Sequence, residues 1–448
     1  MKNILISDAN HGGLTLLEEY SKYTKNNLFF YDTYNKLNLD MKEFYKKKYN
    51  VEFLSLDDIR KNEDKYITIS PIHMKPLFRC DYTHHEFTGY LIKKHEECYG
   101  WNFKIIEITG VKGKTTTANL IMEVLKNKNL LVLTSHNLLY KSCEREIVLD
   151  KTLSITPASI IHALNRAKDM NLLSSIDYCI FEVSLGITTN TDIGILTNIL
   201  EDYPIADNSQ SASSAKKSVF KSKKVICDRT TLKKYYPHMD KNIITVSLDD
   251  KTADIYTTEI DYNIKSTSIR IKYCDYEFRV NCFALCDFYI NNILYAVCVG
   301  LLLDIPIKTI TSNIKDTLPI EGRGSIKYIE DKIVLEDINP GLNTTSISKC
   351  ISNLERYSNN YVLIVGGDYG ITCEEIDEEK LSKYISTIDS PIVLTGDVGY
   401  NLLKKLDKDY EFYHELTDAF NYLLKKDYDV IQIIYRSEYA RNITYLPN

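Results

Sequence analysis

The stretch EITGVKGKTTTANL, residues 107–120, constrains the fold of this chain more than any other part of its sequence. An apolar run, KIIEIT, leads into a short loop bounded by glycines, and a helix-like segment follows from Thr115. The Gly-Lys-Thr of a phosphate-binding loop is intact, but the usual spacing G-x-x-x-x-G-K-[ST] is not, because Ile108 stands where the first glycine belongs. We therefore predict a shortened nucleotide-phosphate loop between a buried strand and a helix N-terminus.

The residue types in this loop predict how it binds a nucleotide. Glycines let backbone N–H groups approach phosphate oxygens, and the following helix presents its positive N-terminal end. Lys114 would neutralise the β- and γ-phosphates of ATP, and the Thr115 hydroxyl would bind Mg²⁺. The alternative is a glycine-rich turn with an exposed lysine. The predicted nucleotide-binding residues of the loop are Gly110, Val111, Lys112, Gly113, Lys114, Thr115 and Thr116.

Mg²⁺ needs further hard oxygen ligands, and two residues are candidates. Glu182 ends an apolar strand, DYCIF, where a carboxylate would be costly without a cation. The alternative is a glutamate on an edge strand that faces water. Thr156, before Pro157, lies on a predicted turn and is either a second oxygen ligand or part of a simple helix N-terminus.

Apolar runs divide the chain into three predicted α/β domains. In residues 1–102, short runs alternate with polar, helix-like stretches. In residues 103–318, longer runs are separated by helix-length segments, which predicts a parallel sheet with crossover helices. This block also contains a predicted hairpin, SIRIKYCDYEFRVN, and a buried helix, DFYINNILYAVCVGLLL. In residues 319–448, four strands each run into a turn, so the predicted fold is a central P-loop ATP-binding domain flanked by two smaller Rossmann-like α/β domains.

Composition excludes several classes of protein. A net charge of −6 and a pI near 5.9 argue against a nucleic-acid surface, which needs clustered Lys and Arg. The chain has no uncharged stretch near the ~18 residues of a membrane span, and its N-terminus, MKNILISDANHGG, does not resemble a signal peptide. The 11 cysteines are therefore expected to be reduced thiols of a cytoplasmic protein.

TGVKGKTTT is similar to the TGTNGKTTT loop of the Mur ligase superfamily, the ATP-dependent enzymes of peptidoglycan precursor and folylpolyglutamate synthesis. Further stretches resemble this family in the same order between about residue 104 and residue 345: ITP, FEVSLGI, ILTNI, SSAKKSVF, DFYINN, GRGS and LEDINPG. The resemblance implies the three-domain Mur ligase-like architecture and activation of a substrate carboxylate as an acyl phosphate.

The resemblance also implies roles for individual residues. Glu182 would bind Mg²⁺, and Lys216 would be the lysine that is carbamylated in several members, although Lys217 beside it could serve instead. Tyr289 and Asn292 stand in the two asparagine places of the adenine helix. Two residues near the start of the third domain complete the nucleotide site that the family implies: Arg323 of the hinge and Asp337, which would bind the ribose.

Two departures from the Mur pattern bear on the substrate. Tyr203 stands where the family has a histidine, and GGDYG stands where several peptide-adding members have an arginine that binds the incoming amino acid. These departures argue against addition of an amino acid.

The N-terminal stretches D-x-x-HGG, S-P-x-H and THHE-x-x-G together resemble one archaeal branch, the coenzyme F(430) synthetases of methanogens. This resemblance implies an ATP-dependent cyclase that converts a propionate of a seco nickel tetrapyrrole into a six-membered ring ketone, for the cofactor of methanogenesis. The candidate substrate residues are His11, Gly12, Gly13, His73, His84 and His85. A structural role is the alternative for each histidine, because adjacent residues point apart on a helix and metal ligands usually come as clusters.

Two other functions are compatible with the same sequence. The first is an amide ligase that joins an amino acid or ammonia to a carboxylate. The second is a nucleotide-gated protein that binds nickel or a tetrapyrrole and uses its loop to drive a conformational change.

Overall fold

The computed structural model describes residues 2–354, 356–371, 376–442 and 445, and the chain forms two compact units. The first unit comprises Met1–Thr258, Arg270–Phe278 and Asn291–Ile314. The second unit comprises Glu259–Ile269, Arg279–Ile290 and Lys315–Asn448.

The first unit begins with a five-stranded parallel sheet in the order β3-β2-β1-β4-β5. Its strands are β1 (Asn3–Ser7), β2 (Leu28–Tyr31), β3 (Val51–Phe53), β4 (Tyr66–Ser70) and β5 (Tyr82–Thr83). Its helices are α1 (Gly13–Ser21), α2 (Leu39–Tyr49), α3 (Leu56–Lys61) and α4 (His84–Tyr99). Strands β1 to β4 lie at the apolar runs of residues 1–102, which are NILIS, NLFFY, VEFLS and YITIS, and confirm them as strands.

Local sequence sets the ends of α4, the helix that carries the adjacent histidines. The Thr83 side chain accepts from the backbone N–H of Glu86, and the Glu86 carboxylate accepts from the backbone N–H of Thr83, which is a capping box. The helix ends at Gly100, whose φ of 62° is left-handed and favours glycine. His84 and His85 therefore lie in a first turn whose position is fixed.

The second sheet of this unit is built on parallel strands in the order β15-β14-β11-β6-β10-β7, and β16 continues it beside β15. These strands are β6 (Lys104–Thr109), β7 (Leu130–Leu133), β10 (Tyr178–Glu182), β11 (Ile193–Leu196), β14 (Lys224–Asp228), β15 (Ile243–Ser247) and β16 (Ile255–Asp261). The first six confirm the strands predicted for the middle block, and their parallel pairing confirms the predicted type of sheet.

Besides β5 and β16, four further short strands of this unit were not predicted. Beyond β7, the sheet continues with the antiparallel β8 (Leu138–Lys141) and β9 (Glu146–Asp150). A separate two-stranded ribbon is formed by β12 (Pro204–Ile205) and β13 (Gln210–Ser211). The helices of this part are α5 (Lys114–Val124), α6 (Ala158–Asp169), α7 (Ala212–Lys216) and α8 (Arg229–Tyr235).

The predicted hairpin and the predicted buried helix are both present. Strands β17 (Thr267–Tyr273) and β18 (Tyr276–Cys282) are neighbours around the turn at Cys274 and Asp275. They are followed by α9 (Asp287–Leu302) and α10 (Ile307–Lys315). Within the described residues, no helix combines the length and the apolar character that crossing a bilayer requires.

The two sheets of the first unit share one hydrophobic core. A single cluster of buried side chains runs from Ile6 in β1 to Phe181 in β10, and it includes Leu16 of α1, Phe87 of α4 and Ile160 of α6. Burial of apolar surface at ~25 cal/mol per Å² favours packing the three helices together. The proposed boundary near residue 102 therefore divides two sheets that share a core.

The second unit contains a six-stranded sheet in the order β19-β20-β24-β21-β22-β23, parallel except for β19 against β20. The strands are β19 (Arg323–Ile329), β20 (Lys332–Ile338), β21 (Tyr361–Gly367), β22 (Ile392–Thr395), β23 (Glu411–Tyr413) and β24 (Val430–Arg436). The helices are α11 (Thr344–Leu354), α12 (Glu378–Ile385), α13 (Gly396–Leu403), α14 (Leu416–Leu424) and α15 (Tyr439–Asn442). Four of these strands were predicted; β19 and β23 were not.

Candidate active site

The predicted phosphate loop connects the end of β6 to the start of α5, and its glycines are required by geometry. Gly110 has a φ of 145° and Gly113 a φ of 86°, and both are values that side chains rarely adopt. A β-carbon at Gly110 would overlap the Thr197 hydroxyl, and one at Gly113 would overlap the Asn292 amide. The loop is therefore packed closely as well as tightly turned.

Two residues after β11 fix the outer part of the loop. The backbone N–H of Val111 donates to the Asn198 carbonyl (3.0 Å), and that of Lys112 donates to Asn198 Oδ1 (3.1 Å). The Lys112 carbonyl accepts from Asn198 Nδ2 (3.1 Å) and from Thr197 Oγ1 (2.6 Å). The stretch ILTNI, noted in the sequence only as a resemblance, thus positions the loop. Asn198 is a positioning residue that sequence reasoning missed.

An oxygen cluster lies at the first turn of α5. Thr115 Oγ1 donates to Glu182 Oε2 (2.8 Å), and the backbone N–H of Ser135 donates to the same oxygen (3.1 Å). The Ser135 hydroxyl lies 3.2 Å from the Thr115 hydroxyl. Hydroxyl and carboxylate oxygens are the ligands that Mg²⁺ prefers, so the residues present fit this ion. Ser135 was not predicted; its only signal in the sequence is its position directly after the strand LLVL.

Glu182 is buried in the middle of the sheet. It ends β10, which pairs with β6 on one side and β7 on the other, and only 3% of the residue is exposed. These observations exclude the alternative of an exposed glutamate on an edge strand. A buried carboxylate in this position needs a cation or several donors.

Lys114 places its ammonium group at the same cluster. Its Nζ lies 3.9 Å from Glu182 Oε1 and donates to the Gly110 carbonyl at 3.3 Å. The side chain is 17% exposed, so the charge is partly shielded from water. A charge held at a helix N-terminus in this way suits an anion such as a phosphate group.

Thr156 lies on the turn that leads into α6. Its hydroxyl hydrogen-bonds with the Ser159 hydroxyl (3.0 Å), and the neighbouring Ile155 carbonyl accepts from the backbone N–H of Ser184 (2.9 Å). The turn is therefore joined to the chain just beyond Glu182. The metal-ligand role of Thr156 stays a prediction.

The Gly12-Gly13 turn of the first sheet lies against this same turn. Gly12 has a φ of 91°, and a β-carbon on it would overlap the Ala158 side chain. A β-carbon on Gly13 would overlap the backbone of Asp8. The structure thus places Gly12, one of the predicted substrate glycines, against the turn that carries Thr156.

Asn292 of α9 packs behind the loop. Its Oδ1 accepts from Thr117 Oγ1 (3.2 Å), and the residue is 6% exposed. Thr116 is also buried, at 7% exposed. The structure places Asn292 against the end of the phosphate loop; contact with adenine stays a prediction, as it does for Tyr289.

Lys216 ends α7 and is almost completely buried, with 1% of the residue exposed. Its Nζ lies 5.5 Å from the centre of the Tyr203 ring, the residue that replaces the family histidine. Lys217, which the sequence left as an alternative, is exposed and lines a cavity. The two lysines therefore have different surroundings, and only Lys216 is buried.

His84 and His85 point in different directions, as adjacent residues on a helix must. His84 Nε2 donates to the Ser7 carbonyl (3.0 Å), and His85 Nε2 donates to the Ser184 carbonyl (2.8 Å). Burial lowers the pKa of each to about 4, so both are neutral at pH 7. His84 is 1% exposed, which favours a packing role for it; His85 lies at a cavity, where a substrate role stays a prediction.

This cavity, of about 400 Å³, lies beside the helix that carries Lys216. Apolar and charged side chains both line it. Its lining residues include Ile72, His85, Phe220, Lys217 and Lys221. Lys221 forms an ion pair with Glu86 at 2.7 Å.

In the second unit, the two residues predicted to bind nucleotide lie opposite each other. Arg323 and Asp337 are register partners on β19 and β20, and Gln432 Nε2 donates to Asp337 Oδ2 at 3.0 Å. Arg323 lies between two left-handed glycines, Gly322 and Gly324. Their roles in binding nucleotide stay predictions.

The GGDYG stretch, residues 366–370, begins in the last two residues of β21. The Asp368 carboxylate accepts from the Tyr435 hydroxyl (2.7 Å) and from the Ser437 hydroxyl (2.6 Å), and its carbonyl accepts from Arg436 Nη1 (3.0 Å). Arg436 is 1% exposed. An arginine therefore lies beside GGDYG, but it comes from β24, and its guanidinium group is hydrogen-bonded to the Asp368 carbonyl.

Comparison with known families agrees with this geometry. Residues 108–300 match the family described as "Mur ligase middle domain", and residues 326–438 match "Coenzyme F430 synthetase CfbE, C-terminal domain". The chain is 32% identical over 419 residues to a coenzyme F(430) synthetase of Methanocaldococcus jannaschii, covering 91% of this chain and 94% of that protein. It is 23% identical to the coenzyme F(430) synthetase of Methanosarcina acetivorans, covering 88% and 90%.

Solved structures show the same fold. A MurF structure from Acinetobacter baumannii has a TM-score of 0.61 at 14% identity, covering 99% of this chain and 92% of that one. A MurF ligase from Thermotoga maritima in complex with ADP has a TM-score of 0.58 at 14% identity, covering 95% and 94%. The three-domain Mur ligase-like fold is thereby confirmed.

Proposed function

Because this chain belongs to the coenzyme F(430) synthetase family of ATP-dependent Mur-like ligases, we propose that it closes a carbocyclic ring on a nickel tetrapyrrole. In this reaction a propionate side chain is activated by ATP, and a carbon of the same molecule attacks it. The observation that carries the proposal is the buried Glu182 carboxylate, 2.8 Å from the Thr115 hydroxyl at the phosphate loop, in a chain similar over nearly its whole length to a coenzyme F(430) synthetase.

The chemical problem is that a carboxylate is a poor electrophile. Transfer of the γ-phosphoryl group of ATP to a carboxylate oxygen gives an acyl phosphate, from which phosphate leaves readily. The carbon nucleophile then forms the new carbon–carbon bond, the bond to phosphate breaks, and the proton of that carbon is lost. The net change is ATP to ADP and phosphate, with the ring ketone one water lighter than its precursor.

Positioning and charge neutralisation supply the catalysis in such a transfer. Lys114 would neutralise the transferring phosphoryl group, and the N–H groups between Gly110 and Thr115 would bind its oxygens. Thr115 and Glu182 would bind Mg²⁺, which neutralises phosphate charge when bound. Ser135 keeps Glu182 in place through its backbone N–H (3.1 Å).

Lys216 is proposed to act as a carbamate. A neutral Lys216 amine would add CO₂ and release one proton, which yields a carboxylate able to bind a second Mg²⁺ near the acyl phosphate. The burial of Lys216 supports this, because removal from water disfavours the charged ammonium form relative to the neutral amine. Tyr203 would pack against the carbamate stem.

The cavity beside α7 is proposed to bind part of the tetrapyrrole. Ile72 and Phe220 offer apolar contact for the macrocycle, and Lys217 offers positive charge for one of its carboxylates. His85 connects this cavity to the chain after Glu182 through its bond to Ser184. Arg323 and Asp337 are proposed to bind the nucleotide, as the family resemblance implies.

The test is ADP formation by the purified chain with ATP, Mg²⁺ and a panel of carboxylated nickel tetrapyrroles, with and without amino acids or ammonium. We expect ADP only when a carboxylated nickel tetrapyrrole is present, and no stimulation by an amine. ADP formation that needs an amine would replace the proposal with an amide ligase. ADP formation without a covalent product would indicate a nucleotide-gated binding protein.

A further inference from the structure

Three side chains of the first sheet meet away from the phosphate loop. Asp8, His11 and His73 each offer one ligand atom, and these atoms all lie within 4.8 Å of one another. Asp8 follows β1 and His73 follows β4, the strand that pairs with β1 in parallel. The carboxyl ends of neighbouring parallel strands meet at one edge of a sheet, which explains why residues so distant in sequence come together.

The Asp8 carboxylate is fixed and buried. Its backbone is left-handed, with a φ of 73°, and its carbonyl accepts from the N–H of Gly13 (3.1 Å). Its Oδ1 accepts from the N–H of Asn10 (3.1 Å), so Oδ2 faces the His11 ring and hydrogen-bonds with Nδ1. Asp8 is completely buried, and its Oδ2 is directed at the His11 ring.

The two imidazoles lie beside the carboxylate and touch each other. The ring centres of His11 and His73 are 4.2 Å apart, and the rings meet edge to face. The His73 backbone is held by the N–H of Ala206, which donates to its carbonyl (3.1 Å). The His11 side chain is 36% exposed, so an ion could reach the group from water.

We propose that Asp8, His11 and His73 bind a divalent transition-metal ion through one carboxylate and two imidazoles. Imidazole ligands suit Ni²⁺, Co²⁺ and Zn²⁺, in contrast to the all-oxygen cluster at Thr115 and Glu182, which suits Mg²⁺. Two ligand atoms each about 2.1 Å from a tetrahedral ion are about 3.4 Å apart, so small side-chain rotations bring the group to bonding distance.

The number of protein ligands indicates whether the site suits a free ion or an ion held in a tetrapyrrole. A nickel ion inside a tetrapyrrole has its four equatorial positions filled, and its two remaining positions lie on opposite faces of the ring. A group that converges three ligands on one point therefore fits an ion that is not in a macrocycle. Three protein ligands also leave a position open for water or another small ligand. The proposal goes beyond the proposed ring closure and does not depend on it.

The test uses the untagged, full-length protein after dialysis against a chelator, without ATP or tetrapyrrole. NiCl₂, CoCl₂ and ZnCl₂ are titrated by calorimetry, and Co²⁺ is also followed by its visible absorption. We expect one ion per chain, and tighter binding of Ni²⁺ than of Co²⁺. His11→Ala and His73→Ala should each weaken binding by about tenfold or more.

Two controls make the result decisive. His162→Ala removes a histidine whose side chain is 47% exposed and which lies outside the group, so binding should be unchanged. Asp8→Asn keeps the size of the buried residue and should weaken binding as well, while circular dichroism verifies the fold of each variant. Failure of the unaltered chain to bind any of the three ions with a Kd of about 100 µM or tighter would overturn the proposal. An unchanged Co²⁺ spectrum and affinity in folded His11→Ala would overturn it too.

Discussion

Lys114 and Glu182 carry opposite charges 3.9 Å apart at the mouth of the phosphate loop. Because Lys114 also donates to the Gly110 carbonyl, its ammonium is directed across the loop before any nucleotide binds. Preorganised charge of this kind stabilises charge that develops during phosphoryl transfer without reorganisation at the moment of reaction. At the scale of single residues, the site is therefore a set of fixed charges.

Replacing the loop lysine should remove turnover and leave the fold intact. In Lys114→Ala we expect the rate of ADP formation to fall on the order of 10²-fold or more, because one positioned cation is lost. The thermal unfolding temperature should stay close to that of the unaltered protein. Turnover near the original rate in the folded variant would contradict the assignment of the ATP site.

Replacing the buried Glu182 carboxylate should raise the Mg²⁺ concentration that activity requires. Glu182→Gln keeps the size of the side chain but removes its charge, so half-maximal activity should need on the order of tenfold more Mg²⁺. The measurement is ADP formation at a series of Mg²⁺ concentrations with ATP held constant. A titration curve that coincides with that of the unaltered protein would show that the ion binds elsewhere.

Lys216, the last residue of α7, and Lys217, which follows it, provide a matched pair. Lys216 is buried and Lys217 is exposed. Lys216→Ala should lose activity and regain part of it when a small carboxylate such as acetate or formate is added, since the acid would replace the carbamate. Lys217→Ala should show no such rescue. Full activity of Lys216→Ala without added acid would reject the carbamate.

At the scale of elements, α4 connects the two sheets of the first unit. Its first turn places His84 against the end of β1 and His85 against the chain beyond β10. The capping box at Thr83 fixes this turn, so the two imidazoles serve as buried hydrogen-bond donors between elements. This arrangement has a consequence for stability at low pH.

Both buried histidines have a pKa of about 4 in the folded chain, against about 6.5 when unfolded. The unfolded chain therefore binds more protons between these values, and stability should fall as the pH drops from about 6.5 towards 4. In His85→Gln, the decrease in unfolding temperature from pH 7 to pH 5 should be smaller than in the unaltered protein. His238→Gln, at an exposed position, should keep the full decrease. Equal decreases in both variants would contradict this account.

Most strands of the parallel sheets could be predicted from sequence, because long apolar runs between helix-length segments fit few other arrangements of secondary structure. The missed strands β8 and β9 are short and mix polar with apolar residues, so their pattern was too weak. The sequence could indicate that Glu182 and Thr115 belong to one site, because each lies in a recognisable motif. Ser135 and Asn198 could not be predicted, because a serine or an asparagine after a strand carries no signal until the order of the strands is known.

The group of Asp8, His11 and His73 also could not be predicted before the order of the strands was known. The sequence offered these histidines only as candidate substrate contacts, and Asp8 only as part of D-x-x-HGG. Their meeting depends on β1 lying beside β4 in the sheet order, which follows from packing and from no local pattern. A non-sequential strand order is a property of the whole sheet, so residues at its edge are brought together by the fold alone.

At the scale of the whole molecule, the first unit contains the phosphate loop, the oxygen cluster, Lys216 and the cavity. The fold alone is compatible with amide ligation, because the MurF structures share it. What distinguishes ring closure from amide ligation is the nucleophile that attacks the acyl phosphate. In the proposed ring closure, this nucleophile is a carbon of the substrate itself.

The most direct test is the mass of the product formed from ATP and the seco nickel tetrapyrrole in the presence of ¹⁵N-labelled ammonium, glutamate and alanine. We expect a product one water lighter than its precursor, with one ADP formed per ring closed and no labelled nitrogen. Omitting the amines should change neither the rate nor the product. A product that contains ¹⁵N would contradict the cyclase and establish an amide ligase in its place.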